Sequence, residues 1–156
     1  MEQISRKQKR INLCLTSDEV GTFTGMSTGT VSYYENDIHV SPKNIVRLDK
    51  FYTLFKYEQD QYLKAMPPIE RNEQYITGSQ AAKSMNIPTQ RFNRFNYAKF
   101  ILGIATGIHI RQRDYIYHPN DILMLKYKRQ FIIQYMINGI KRKKRKSRSK
   151  EKTLND

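Results

Sequence analysis

Apolar residues recur at helical spacing over two long stretches of the chain. After Pro42, the residues Ile45, Leu48, Tyr52, Phe55 and Tyr62 follow up to a stop at Pro67. After Pro119, the residues Ile122, Leu125, Ile132, Tyr135, Met136 and Gly139 repeat the pattern. Spacings of three, four and seven place side chains on one face of a helix. Proline suits the first turn, where its missing N–H would have had no partner. The pattern therefore predicts two amphipathic helices of about twenty residues each. Packing them side by side and antiparallel at the centre covers both apolar stripes; the alternative is that each packs only on its own small unit.

Ahead of each long helix stands a similar short pattern. Leu15-Thr16-Ser17-Asp18-Glu19-Val20 lies over Ile76-Thr77-Gly78-Ser79-Gln80-Ala81 at an offset of 61. At the same offset Gly25-Met26-Ser27 falls on Asn86-Ile87-Pro88, Val31 on Phe92 and Tyr34 on Phe95. Both read as a capping Thr, a short helix, a tight turn and a second helix. The offset then grows to 77, where Pro42 meets Pro119. Internal duplication and convergence on one unit both account for this. The fold expected is mainly α, with two helix–turn–helix units around two long central antiparallel helices.

The boundaries follow from composition. Residues 1–66 form the first unit with its long helix, 67–74 a polar linker opened by Pro67-Pro68, and 75–139 the second unit with its own long helix. Residues 140–156 form a basic tail that is disordered in isolation, or at best a frayed extension of the helix before it.

Charge changes the picture by its location. The 156 residues carry 28 Lys plus Arg against 14 Asp plus Glu, a formal net of +14. Residues 1–70 hold nine of each sign, residues 71–139 hold ten against three, and residues 140–156 hold nine against two. The excess lies wholly in the second half and the tail. A polyanion is the partner that such charge attracts, so double-stranded DNA is the expected ligand. No apolar run reaches membrane-spanning length, the N-terminus lacks a signal-peptide core, and Cys14 is the single cysteine. These features predict a cytoplasmic protein with no membrane association, no disulfide framework and no cysteine zinc site.

The first unit, from Leu15 through Thr24-Gly25-Met26-Ser27-Thr28-Gly29-Thr30-Val31-Ser32-Tyr33-Tyr34-Glu35-Asn36, resembles the Cro/C1 or XRE-type helix-turn-helix. The resemblance covers about residues 6–55. It implies base-reading positions at Thr28, Gly29 and Tyr33, with Ser32 on the same face. Backbone-positioning contacts would fall on Ser17, Asn36 and Lys43, with Arg10 just upstream. Ser17 stands where the family usually has Gln, and Gly29 supplies no side chain. This neutral unit either contacts DNA or props up the second.

The second unit, Tyr75-Ile76-Thr77-Gly78-Ser79-Gln80-Ala81-Ala82-Lys83 with Pro88-Thr89-Gln90-Arg91-Phe92-Asn93-Arg94-Phe95-Asn96, resembles the winged helix-turn-helix of MerR regulators and phage excisionases. The resemblance covers roughly residues 75–125 and implies a recognition helix over 88–97. Phe92 and Phe95 point inward, leaving Thr89, Gln90, Arg91, Asn93 and Arg94 outside. Arg pairs bidentately with guanine and Gln or Asn with adenine, so this helix carries base-reading chemistry. Residues 108–117 alternate apolar and polar around a polar tip, the pattern of a short β-hairpin wing. Arg111 and Arg113 at that tip are placed for a phosphate or a minor groove. In the tail, Lys141, Arg142, Lys143, Lys144, Arg145 and Lys146 form a non-specific phosphate clamp; anionic lipid is the less favoured ligand.

No enzyme site is expected, nor any cofactor or metal. His39, His109 and His118 lie far apart without Cys or acidic partners at ligand spacing, and solvated or capping roles suit them better. The glycines of 25–30 have no Lys and no preceding strand, so they are not a phosphate loop. In architecture and size the chain resembles the TraN-type small regulators of Gram-positive conjugative transfer. That resemblance implies binding near an origin of transfer or operon promoter and repression of transfer genes, with transfer-machinery proteins as further partners. Phage-type repressors and excisionase-like recombination factors use the same parts. An adaptor scaffold in a relaxosome or replication complex is the rival from another class. One chain with two units could act as a monomeric internal pseudo-dimer, or form a homodimer.

Overall fold

A computed structural model describes residues 3–70, 74–94, 100, 104–105 and 115–154. Among them the chain is mainly helical, with seven helices and three short strands. The order is α1 (Arg6–Asn12), α2 (Ser17–Thr24), α3 (Thr28–Glu35), α4 (Pro42–Lys64), β1 (Ile76–Thr77), α5 (Gly78–Ser84), α6 (Thr89–Arg94), β2 (Ile104–Ala105), β3 (Tyr115–Tyr117) and α7 (Pro119–Leu154).

Helix starts follow their caps. Ser5, Thr16, Ser27, Ser41 and Thr77 each accept, through the side-chain oxygen, the backbone N–H three residues on. A cap of this kind satisfies one of the donors that the first turn leaves unpaired. Pro42 and Pro119 open α4 and α7 as expected. His118 serves as a cap too, its Nδ1 accepting from the Asn120 N–H at 3.2 Å.

Helices α4 and α7 pack together through aromatic rings and run antiparallel. Tyr62 meets Phe131 at 5.4 Å between ring centroids, while Phe55, two turns earlier on α4, meets Tyr135 at 5.1 Å. Lower positions of α4 thus face higher positions of α7. Tyr135 also sets its edge on Phe23 of α2, with centroids 4.9 Å apart. Phe55, Leu48, Ile122, Leu125 and Ile132 are buried in one apolar cluster that continues from Leu15, Val20 and Val31 to Ala81, Ala82 and Phe92. Burying a side chain the size of Phe55 contributes about 2–3 kcal/mol.

One expectation changes. The tail was expected to be disordered or frayed, yet α7 continues helical to Leu154. Lys and Arg are good helix formers, and extension of an existing helix needs no new nucleus. Strand β3 pairs with β2, opposing Ile116 to Ile104 and Tyr115 to Ala105, while residues 108–114 of the expected hairpin lie outside the described residues. A third strand, β1, joins on the other side with Ile76 opposite Tyr117, giving the antiparallel order β1-β3-β2. This small sheet ties the start of α5 to the start of α7. Arg111 and Arg113 lie outside the described residues.

Candidate nucleic-acid interface

The two short units share their local construction at the offset of 61. Thr16 and Glu19 form a reciprocal capping box on α2, and Thr77 and Gln80 form the same box on α5. Both first helices then close in a left-handed residue, Gly25 at φ 72° and Asn86 at φ 59°. Glycine and asparagine are the residues that enter this region most readily. The next amide turns back in both: Met26 N–H to the Gly21 carbonyl at 2.9 Å, and Ile87 N–H to the Ala82 carbonyl at 3.0 Å. These bonds hold the turn and aim the second helix.

Each second helix buries one side and exposes another. On α3, Val31 and Tyr34 are buried, while Thr28, Gly29, Ser32 and Tyr33 are exposed. On α6, Phe92 is fully buried with its ring edge-on to Tyr117, and Thr89, Gln90 and Arg91 are exposed. The side chains of Asn93 and Arg94 lie outside the described set, as do those of Arg142, Lys143, Lys144 and Lys146. Lys43, Lys141 and Arg145 are exposed and Ser17 is half-buried.

Several side chains of the first unit are already engaged. The Thr28 hydroxyl donates to the Asp18 carboxylate at 2.8 Å, and Asn36 donates through its amide to the Ser32 carbonyl at 2.9 Å. Arg10, placed by sequence near a DNA backbone, instead forms a buried ion pair with Glu35 and donates to the Leu15 carbonyl at 3.0 Å. Arg6 lies 4.1 Å over the Tyr34 ring and bonds both the Tyr34 carbonyl and Asp37. The Tyr34 hydroxyl donates to Asp49, and burial, reinforced by that carboxylate, holds its pKa well above the ordinary tyrosine range. Burial likewise pushes Tyr52 up, with the Glu35 charge adding to it.

The electrostatics of the two units therefore differ. The first turn of α2 carries Asp18 and Glu19, which suit the helix dipole but repel phosphate. The corresponding residues of α5, Ser79 and Gln80, are neutral.

Sequence reasoning missed the residues that join the halves. Arg129 of α7 donates to the Glu19 carboxylate at 2.7 Å and to the Cys14 carbonyl at 2.9 Å. Lys128 donates to the Asn12 carbonyl at 2.7 Å. Their only signal was that the duplicated cap position is charged in one copy, Glu19, and neutral in the other, Gln80.

Among the described residues, no cluster of three His, Cys, Asp or Glu side chains is placed to hold a metal ion. No helix among them is long and apolar enough to cross a membrane. Comparison with protein-family models, curated proteins and solved structures finds no match to this chain.

Proposed function

We propose that this protein binds double-stranded DNA sequence-specifically through tandem helix-turn-helix units, the second of them winged. In this reading it represses or assists regulation of a conjugative-transfer operon. One observation carries the DNA-binding part: the same capped helix, left-handed turn and half-exposed second helix occur twice at a constant offset of 61. A second helix held in this way is the element that such units insert in a major groove.

Helix α6 is the principal reader. Gln90 pairs with adenine and Arg91 with guanine, joined by Thr89, Asn93 and Arg94. The strand pair β2–β3 forms the base of the wing, whose tip carries Arg111 and Arg113 toward flanking phosphate. Helix α3 takes a second half-site, with Ser32 and Tyr33 at its surface. Thr28 has its hydroxyl proton committed to Asp18, so α3 contributes less base readout than α6. The basic end of α7 neutralises phosphates without regard to sequence. The link to conjugative transfer rests on the architectural resemblance to TraN-type regulators alone.

The decisive experiment is selection from a pool of duplexes with a randomised core, followed by footprinting on the enriched sequence. A defined motif, bound roughly a thousandfold or more tighter than bulk duplex, is the expected outcome. Equal affinity for every duplex overturns the reading. Placement of the motif at a transfer-operon promoter or origin of transfer tests the biological assignment.

A further inference from the structure

The capping position of the duplicated short helix offers an internal control. In the second unit, the neutral Gln80 caps α5 through its side-chain oxygen, accepting the Thr77 N–H at 3.0 Å. In the first unit, Glu19 accepts the Thr16 N–H at 2.9 Å in the same way. The cap therefore needs an oxygen at this place but no charge. The charge on Glu19 serves something else.

Its partner is Arg129, 110 residues away on α7. The guanidinium donates to Glu19 Oε1 at 2.7 Å, and the two side chains are 13% and 12% exposed. The same NH1 bonds the Cys14 carbonyl, in the turn between α1 and α2. Cys14 stands in the left-handed region at φ 59°, and its carbonyl is one of the acceptors there. Lys128 bonds the neighbouring Asn12 carbonyl. Helix α7 begins in the second unit, one residue after β3, and first bonds the first unit at these residues. This ion pair, with the ring contact of Tyr135 on Phe23 further along α7, joins α2, and hence α3, to the helix that carries the second unit. A charge pair shielded from water tolerates little displacement, because separating the partners leaves each charge poorly solvated.

We propose that Glu19 and Arg129 form a latch that fixes the distance and angle between the two reading helices, so that the protein accepts a bipartite duplex site at one spacing only. The spacing rule rests on the DNA-binding reading above; the latch itself does not. Both are positioning residues, since neither is at an exposed reading face.

Two measurements on the full chain test the proposal. The first needs no DNA: spin labels at Ser32→Cys and Gln90→Cys, in a Cys14→Ala background, report the distance between α3 and α6. The weakened forms are Glu19→Gln, which removes the charge but keeps the oxygen that Thr16 and Arg129 share, and Arg129→Met, which removes the guanidinium and keeps the apolar stem. A narrow distance distribution that broadens equally in either form, with no further change in the double variant, is expected. A distribution equally broad with and without the latch overturns it. The second measurement inserts one to four base pairs between the two protected segments of the selected duplex. The latched protein should lose roughly tenfold or more in affinity, and Glu19→Gln less than about threefold. Equal losses, or a footprint over a single segment, overturn the spacing rule. A latch seen by spin labels in a protein that selects no duplex overturns the DNA reading and leaves the latch standing.

Discussion

Arg10 and Glu35 form an ion pair across α1 and α3, with side chains only 12% and 7% exposed. Two charges so enclosed are costly to separate, because the one left behind cannot recover its hydration. Arg10→Ala should therefore destabilise the chain by about 3–5 kcal/mol, seen as a lower urea midpoint. The paired change Arg10→Met with Glu35→Leu should cost less than either single change. An Arg10 free to contact DNA would instead leave stability unaltered.

Gly21 lies where α2 passes the turn. A Cβ there would stand 2.6 Å from the Met26 carbonyl oxygen, and that atom belongs to backbone. Gly21→Ala should cost on the order of 1–3 kcal/mol, as overpacking does. Gly25→Ala meets only the flexible tip of Arg47, at an ordinary contact distance of 3.7 Å, but keeps φ at 72°, so about 1 kcal/mol is expected. Thermal unfolding of the two variants gives the order. Asn86→Gly, in the matching turn, should be close to neutral.

Burial raises the Cys14 thiol from 9.0 to about 11, opposed in part by Lys128 and Arg129. The folded chain holds this proton more tightly than the unfolded chain does. Its contribution to stability is therefore fully present below pH 9 and lost as pH rises through about 11. The magnitude is on the order of 2–3 kcal/mol. Between pH 9 and 11 Cys14→Ala should lose less stability than the parent chain, measured by urea midpoints. At pH 8 the native thiol should resist a disulfide reagent that labels the unfolded chain at once.

On the proposed DNA-binding function, salt separates the role of α6 from that of the tail. Arg91→Ala and Arg94→Ala should each cost about 1–3 kcal/mol on the selected duplex and little on random duplex. Deleting 140–156 should weaken both alike and reduce the slope of log affinity against log salt by roughly 0.9 per lost phosphate contact. If truncation erased sequence preference while the helix variants kept it, the roles of α6 and the tail would be reversed.

Much of this frame is local, and local features are legible in a sequence. Thr16, Ser27, Ser41 and Thr77 cap helices because a short side-chain oxygen is needed within three residues of a free N–H. Gly25 and Asn86 mark turns because few residues tolerate positive φ, and Pro42 and Pro119 mark helix starts for an equally local reason. The repeat at 61 and the outward positions Thr89, Gln90 and Arg91 follow from the same periodicities. The tail was expected to be disordered or at best a frayed extension because like charges along a helix repel, whereas the propensities of Lys and Arg favour the helix observed.

What tertiary structure alone decided is which distant groups meet. Gln59 buries its amide on the Leu13 carbonyl, 46 residues away, and Ile76, in a short strand that no alternation announced, pairs with Tyr117. Arg10 went to Glu35 and Arg129 to Glu19, although by sequence each is one basic residue among 28. A charge carries no address: its partner is set by where the apolar faces bring the backbone, and only then does removal from water make the pairing strong. The sequence determined the elements and their ends, and packing of α4 against α7 determined which charges remain for a partner.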